Sequence, residues 1–193
     1  SSAKPYDIYK IDKKSIVTNY EYPGDTDWAV FRLKKHKKLT KWYLFWHRLF
    51  NKKKPLPEKY LSKAGYYAGD IQGSFEVSFG PIFPFDFIRL TGYGRDKRLE
   101  RNHIQQTALG FIREISPIFG EQMFLHDVDA TKGSSGSAII NEETQKVIGV
   151  HAYHECFQNS GGRHCKNGAT SIYLAPKFQQ AIADCLDWEE ENL

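Results

Sequence analysis

The alternation of apolar and polar residues predicts a chain built mainly of β-strands. Short runs with a period of two residues, separated by Gly-, Pro- and Asn-containing turns, are typical of an all-β fold. Such runs lie at 6–11, 15–18, 26–33, 75–79, 86–94, 107–115, 122–126, 138–140, 146–151 and 168–174. Within 26–33 the alternation leaves two possible buried faces, which are Trp28, Val30 and Leu33 or Ala29, Phe31 and Leu33.

Two stretches follow the helical period instead. The first lies at about 36–57, where apolar side chains three and four residues apart would share one face. These side chains are Leu39, Trp42, Tyr43, Trp46, Leu49 and Phe50. Thr40 can cap this helix, and Pro55 ends it. The second helix begins near Pro176 and has Phe178 and Ile182 in its buried stripe. The acidic residues 187–191 are expected to form a solvated tail.

Lysines flank the first of these helices on both sides, which gives it two interpretations. In one, its aromatic face packs on the protein and the lysines are solvated. In the other, the helix binds an anionic membrane or a protein partner through Trp42, Tyr43 and Trp46. The pattern alone leaves both open.

Composition indicates a folded globule. Apolar residues make up 40% and aromatic residues 15% of 193 residues, enough for a real core. The net charge of +4 is too small to imply nucleic-acid binding. No apolar run approaches the ~18 residues of a membrane span. The opening residues Ser1 to Pro5 do not resemble a translation start, so we expect a processed or truncated piece. The compartment stays open, with a secreted or periplasmic location favoured.

Three cysteines leave two redox states open. Cys156 and Cys165 flank a Gly- and Asn-rich segment and can close a short disulfide, or all three thiols, including Cys185, are reduced. His154, Cys156, His164 and Cys165 also suggest zinc, but their spacing is not a usual paired-ligand pattern. We therefore expect neither a metal nor a cofactor.

A run of small residues from Gly133 to Ala138 is the clearest chemical signal. Glycines on either side of Ser135 allow positive φ and expose the serine hydroxyl. The surrounding amides can converge on one point, as an oxyanion site requires. A strand, a polar hairpin and a second strand ending at His151 follow directly. The alternative is a plain Gly/Ser turn.

The order Gly133-x-Ser135-Gly136-Ser137, a hairpin, then Gly-Val-His151 resembles the nucleophile motif of chymotrypsin-like serine proteases. It is most similar to the bacterial glutamyl-endopeptidase branch, although Ala138 replaces the usual proline. The resemblance implies an all-β, chymotrypsin-like double β-barrel with a C-terminal helix. Residues 1–80 would hold an incomplete first barrel with the 36–57 helix inserted, and 81–193 would form the second.

The resemblance also implies catalytic roles. Ser135 would be the nucleophile, and the amides of Gly133 and Ser135 would hold the oxyanion. Asp27 begins an Asp-x-Ala-x-x-x-Leu strand similar to the one that carries the triad aspartate, where it would orient a histidine. Taken alone, Asp27 fits better as a residue that ends a turn, and the serine motif downstream in the right order is what favours the triad role.

The histidine of the family pattern would precede Asp27, but no histidine does so in this sequence. Three explanations stay open. The chain begins just after the histidine segment, the protein is a degenerate protease that binds without cleaving, or another histidine such as His126 substitutes as the base. His126 also fits a plain strand residue.

The residues that resemble substrate-binding positions point in different directions. His151 corresponds to a histidine that binds an acidic side chain. His154, which follows it in the sequence, is also a candidate substrate-binding residue. Asp129 corresponds to the position where trypsin-like enzymes bind Lys or Arg. The resulting hypothesis is a serine endopeptidase that acts on polypeptides. The rival hypothesis is a catalytically inactive, protease-like module that binds a partner or an anionic membrane through residues 39–54.

Overall fold

A computed structural model of the chain describes residues 9–21, 26–34, 73–93, 105–116, 122–159 and 162–191. The chain divides into two compact units, one of residues 1–3, 16–30 and 75–193 and one of residues 4–15 and 31–74. In the second unit, Ile11 forms an antiparallel bridge with Leu33, and Lys13–Ser15 is a 3-10 turn. The predicted helix at 36–57, with Trp42, Tyr43 and Trp46, lies outside the described residues.

The first unit contains eight described strands and one helix. Strands β1 (Val17–Glu21) and β2 (Thr26–Val30) form a separate antiparallel hairpin. The others are β3 (Phe87–Gly92), β4 (Gln106–Ser116), β5 (Met123–His126), β6 (Ala138–Asn141), β7 (Val147–Asn159) and β8 (Gly162–Ser171). They close a six-stranded antiparallel barrel in the order β3-β4-β5-β8-β7-β6. Helix α1 (Pro176–Glu191) follows the last strand.

The interior of the barrel is filled by alternate apolar residues of its strands. Ile88, Ile112, Phe124, Ile139 and Ala169 are completely buried there. Because successive side chains in a strand point to opposite faces, residues between them point outward. The period of two read from the sequence thus corresponds to the inside and outside of a closed barrel.

A second apolar cluster lies outside the barrel wall. Trp28 on β2 and Phe178 on α1 meet there, together with Ile172, Ala175 and Ala181. Of the two faces predicted for 26–33, the one that starts with Trp28 is the more buried, because Trp28 is buried and Val30 half-buried, whereas Ala29 and Phe31 are exposed. In the described part of the chain, no helix is long and apolar enough to span a bilayer.

The prediction of an all-β fold with a C-terminal helix is confirmed by the closed barrel and α1. The predicted strand at 75–79 is wrong, because only Val77 bridges to the start of β7 and no ladder continues from it. The strand predicted at 15–18 begins at Val17, since Lys13–Ser15 is a 3-10 turn.

Two further boundaries differ from the sequence prediction. The polar segment from Cys156 to Lys166 is not a loop, because β7 and β8 continue through it as a two-stranded ribbon. Such a ribbon needs no apolar face, since cross-strand main-chain hydrogen bonds hold it. The acidic residues 187–191 continue α1 rather than forming a separate tail.

Candidate active site

The loop from 127 to 137 connects β5 to β6 and carries the small residues singled out from the sequence. Gly133 and Gly136 have φ of 95° and 85°, a region that side chains other than glycine rarely adopt. Ser134 is buried, its amide donates to the Thr131 carbonyl, and its hydroxyl accepts from the Thr131 amide at 3.3 Å. The glycines therefore allow two tight turns in succession.

Ser135 lies between these turns and is exposed to solvent. The amides of Ser134, Gly136 and Ser137 donate hydrogen bonds to main-chain carbonyls. Within the described part of the chain, the amides of Gly133 and Ser135 donate to no protein group. An exposed hydroxyl thus stands beside two main-chain N–H groups that are available to an acceptor.

Strand β7 fixes the loop from one side. The Gly136 amide donates to the His151 carbonyl at 2.8 Å, and the His151 amide donates to the Ser137 carbonyl at 2.9 Å. On the other side Ser137 packs against β3 at Gly92, where an added Cβ would lie 1.8 Å from the Ser137 Oγ. The loop is therefore held between two barrel strands.

Asp27 is exposed on β2, outside the barrel wall. Its amide approaches the Thr170 Oγ1 at 3.4 Å. Thr170 pairs with Val150, and Val150 pairs with Ala138 at the start of β6. The main chain of Asp27 therefore lies beside β8, two strand spacings from β6, or about 10 Å.

His151 and His126 form a buried pair inside the barrel. The His126 Nε2 lies 3.2 Å from the His151 Nδ1, so one ring nitrogen donates a hydrogen bond and the other accepts it. Burial, followed by the charge of His151, lowers the pKa of His126 to about 3. Burial and then the charge of His154 lower the pKa of His151. Both rings are therefore neutral near pH 7.

His154 and Asn167 connect the β7–β8 ribbon to the start of the loop. The His154 Nδ1 lies 2.5 Å from the Asn167 Oδ1, and the Asn167 Nδ2 donates to the Val128 carbonyl at 2.7 Å. His151 and His154 are thus on the same side of the loop, together with Asn167.

Asp129 lies elsewhere. It lines a cleft of about 130 Å³ between the loop and strands β3 and β4, whose other lining residues include Leu90, Thr107 and Ser134. His151 and His154 do not line this cleft. The two substrate-binding positions suggested by the sequence are therefore not brought together.

Asp127 anchors the first residue of the loop to β4. Its carboxylate accepts a hydrogen bond from the Phe111 amide at 2.6 Å and pairs with Arg113. Burial would raise the pKa of the Asp127 carboxyl, but the Phe111 amide and the Arg113 guanidinium outweigh it and hold that pKa below its usual value. The anchor is ionised at neutral pH.

The suggested zinc and disulfide sites fall partly outside what the structure describes. Among the described side chains, no group of three His, Cys, Asp or Glu residues is arranged to hold a metal ion. The backbone register pairs Cys156 with Cys165, but their side chains and that of His164 are not among those described. Both sites stay predictions.

Sequence reasoning missed several contacts that shape the site. The Gly92 position that receives Ser137, the Asn167 bridge and the Thr170 contact each join residues far apart in sequence. His126 was predicted as a strand residue, and it is one. The alternation that places Phe124 inside also places His126 inside, but nothing in the sequence identifies His151 as its partner.

No family model matches the chain, and no curated protein matches it. Solved structures do match, and one of them is the scabies mite inactivated protease paralogue S-I1. That match has 20% sequence identity and a TM-score of 0.40, and it covers 56% of this chain and 50% of that chain. The aligned part is therefore only half of the other protein's length, and the match assigns no family to this chain.

Proposed function

We propose that this chain belongs to a serine endopeptidase in which Ser135 attacks the carbonyl carbon of a peptide bond. The observation that carries this proposal is the exposed Ser135 beside the amides of Gly133 and Ser135, which donate to no group among the described residues. Preorganised N–H groups of this kind stabilise the developing oxyanion, and loss of one donor typically costs about 3 kcal/mol of barrier.

In the proposed reaction, a histidine takes the Ser135 proton as the Oγ–C bond forms. The carbonyl oxygen becomes an oxyanion that accepts from the Gly133 and Ser135 amides. When the intermediate collapses, the C–N bond breaks and the leaving amine takes the proton from the imidazolium. The same steps then occur with water as the nucleophile, which hydrolyses the acyl-enzyme. Asp27 would accept from the histidine Nδ1–H and stabilise the imidazolium.

The base itself is proposed to be a histidine encoded before Ser1. His126 is a poor substitute, because it is buried, its Nε2 faces His151, and its low pKa makes it a weak proton acceptor. His151 is buried as well and shares that contact.

A fluorophosphonate probe tests the proposal on the full-length protein. We expect the probe to label Ser135 and Ser135→Ala to abolish labelling. Ser137→Ala is the matched control, since it removes a hydroxyl from the same loop and should preserve labelling. A wild-type protein that folds but takes up no probe would refute the proposed activity.

Specificity is proposed to depend on which side of the loop receives the substrate side chain. An acidic side chain suits the His151 and His154 side, and a basic one suits the Asp129 carboxylate. A peptide library separates these alternatives. Cleavage after Glu that is lost in His151→Gln supports the first, and cleavage after Arg that is lost in Asp129→Asn supports the second.

The second candidate function is an inactive, protease-like binding module. It is favoured by one observation, which is that the sequence of residues 39–54 combines aromatic residues at helical spacing with flanking lysines. It predicts binding without turnover, through Trp42, Tyr43 and Trp46, to a protein partner or an anionic membrane. Flotation with phosphatidylserine vesicles that is lost in Trp42→Ala/Trp46→Ala would support it, and absence of both lipid and protein binding would count against it.

A further inference from the structure

The β1–β2 hairpin that carries Asp27 is not hydrogen-bonded into the barrel sheet. Among the described strands, β2 pairs only with β1. A two-stranded hairpin by itself is marginally stable in water. Its position against the barrel must therefore depend on side-chain contacts rather than on a main-chain ladder.

The main described contact of this kind is made by Trp28, the residue next to Asp27. Its indole stacks on the Phe178 ring of α1, with centroids 4.9 Å apart and planes 13° from parallel. Both side chains are buried, within the cluster formed by Ile172, Ala175 and Ala181. In the described structure the buried Trp28 Nε1 has no hydrogen-bond partner. The contact is therefore apolar stacking, which fixes the plane of the ring.

Asp27 and Trp28 are consecutive residues of one strand, so their side chains point to opposite faces. Trp28 is buried and Asp27 is exposed, as this alternation requires. A shift of β2 after loss of the stack would move the shared backbone and displace the Asp27 carboxylate with it. The contacts between Asp27 and Thr170 are both long, because the Thr170 Oγ1 lies 3.4 Å from the Asp27 amide nitrogen and 3.5 Å from the Asp27 carbonyl oxygen, so they are too weak to fix the strand by themselves.

We propose that Phe178 is a positioning residue for the Asp27 carboxylate, acting through Trp28. This inference rests on the proposed function, because it assigns the C-terminal helix a part in aligning the triad. Phe178 touches neither substrate nor Ser135. Displacement of a catalytic group by about 1 Å can lower the rate roughly 100-fold, so the fixed position of β2 against the barrel directly affects catalysis.

The test compares Phe178→Leu with Ile182→Ala in the full-length protein. Phe178→Leu removes the ring stack and keeps an apolar side chain. Ile182→Ala is the matched control, since it removes apolar volume from the same helix and cluster and leaves both stacked rings in place. The rate of amide hydrogen exchange at residues 26–30 measures how stably β2 is held against the barrel, and the rate of hydrolysis of a peptide ester measures catalysis.

In Phe178→Leu we expect faster exchange in β2 with the barrel strands unchanged. We also expect kcat to fall about 10- to 100-fold with KM nearly constant. The acidic limb of the kcat/KM profile should move to lower pH, because a displaced Asp27 stabilises the imidazolium less. A purely structural effect would not move that limb. In the Ile182→Ala variant, the acidic limb of the kcat/KM profile should lie at the same pH as in the wild type, and the β2 exchange rates should be unchanged.

Unchanged exchange in β2 of Phe178→Leu would overturn the proposal, and so would faster exchange with an unchanged kcat. A wild-type protein with no hydrolysis and no probe uptake would instead refute the proposed function. In that case the exchange data would still decide whether Phe178 holds β2 in place. The proposed effect of Phe178 on catalysis would be refuted together with the enzymatic activity.

Discussion

Ser137 occupies the space that a side chain at position 92 would need. An added Cβ at Gly92 would lie 1.8 Å from the Ser137 Oγ and 3.0 Å from its Cβ. Real Cβ atoms do not approach so closely, so the loop or β3 would have to move. The absence of a side chain at position 92 thus allows the nucleophile loop to approach the barrel this closely.

We expect Gly92→Ala to lower the free energy of unfolding by about 1–3 kcal/mol, the usual cost of overpacking. Urea denaturation measures this effect. The double variant with Ser137→Ala should recover part of the loss, because the Oγ is then absent and only the Cβ contact at 3.0 Å is left. Additive effects of the two substitutions would contradict the proposed clash.

At this scale the sequence was informative where the signal is local. Gly133 and Gly136 were predicted to take positive φ, and both do. Ser135 was predicted to be exposed, and it is. The His126–His151 contact could not be predicted, because it requires β5 and β7 to reach the same part of the interior through β8.

The β6–β7 hairpin is the element that supports the loop from below, and Asn141 organises its turn. The Asn141 Oδ1 accepts from the amides of Glu143 and Thr144 at 3.0 and 2.9 Å, and Asn141 is buried. These bonds hold the turn closed where Gln145 takes a φ of 57°. The polar sequence of this turn predicted a hairpin but not which side chain closes it.

We expect Asn141→Ala to destabilise the protein by about 1–3 kcal/mol, because the amides of Glu143 and Thr144 each lose a hydrogen bond worth about 0.5–1.5 kcal/mol. Glu143→Ala, at an exposed position in the same turn, should change stability by less than about 0.5 kcal/mol. Equilibrium unfolding in urea compares them. Equal effects would show that the Asn141 bonds are not what closes the turn.

Elements were predicted well where burial imposes a period and poorly elsewhere. Strands β3 and β4 have one face in the barrel core, so their alternation is visible in the sequence, whereas β5 and β6 are short, mostly apolar runs in which nearly every residue is buried. The outer parts of β7 and β8 have no such constraint, and their polar residues were taken for a loop. Val77 shows the reverse error, an alternating segment that makes only one bridge.

For the molecule as a whole, the buried histidine pair makes stability depend on pH. The pKa of His126 is about 3 in the folded protein, against an ordinary value of 6.5, and the pKa of His151 is lowered as well. Below pH 6.5 the unfolded chain therefore binds more protons than the folded one. Stability is full above that pH and falls as the pH decreases towards the folded pKa.

We expect the free energy of unfolding at pH 5 to be about 2 kcal/mol lower than at pH 8 from His126 alone. Urea unfolding at the two pH values measures this, and His126→Gln should show a smaller difference. The Asp127 pKa is also lowered, but a carboxyl contributes only at still lower pH, so it does not affect this interval. Equal stability at pH 5 and 8 would contradict the neutral buried pair.

The whole fold was predictable only in class. Alternating strands and a final amphipathic stripe indicated an all-β protein with a C-terminal helix, which the structure confirms. Barrel closure brings β3 against β6 across about 50 residues of sequence, and no local pattern encodes that pairing. Asp27 and the Ser135 loop belong to the same compact unit, which no local pattern predicts either.

The ribbon formed by the outer halves of β7 and β8 suggests where such a protein can change without loss of its framework. Strand β5 pairs with β8 only as far as Asn167, and β6 pairs with β7 only as far as Val150. Residues 155–159 and 162–166 bond only to each other along their ladder. Insertions or deletions made in matched pairs there would lengthen or shorten an appendage and leave the closed cylinder intact, which makes this arm a natural place for related proteins to diverge.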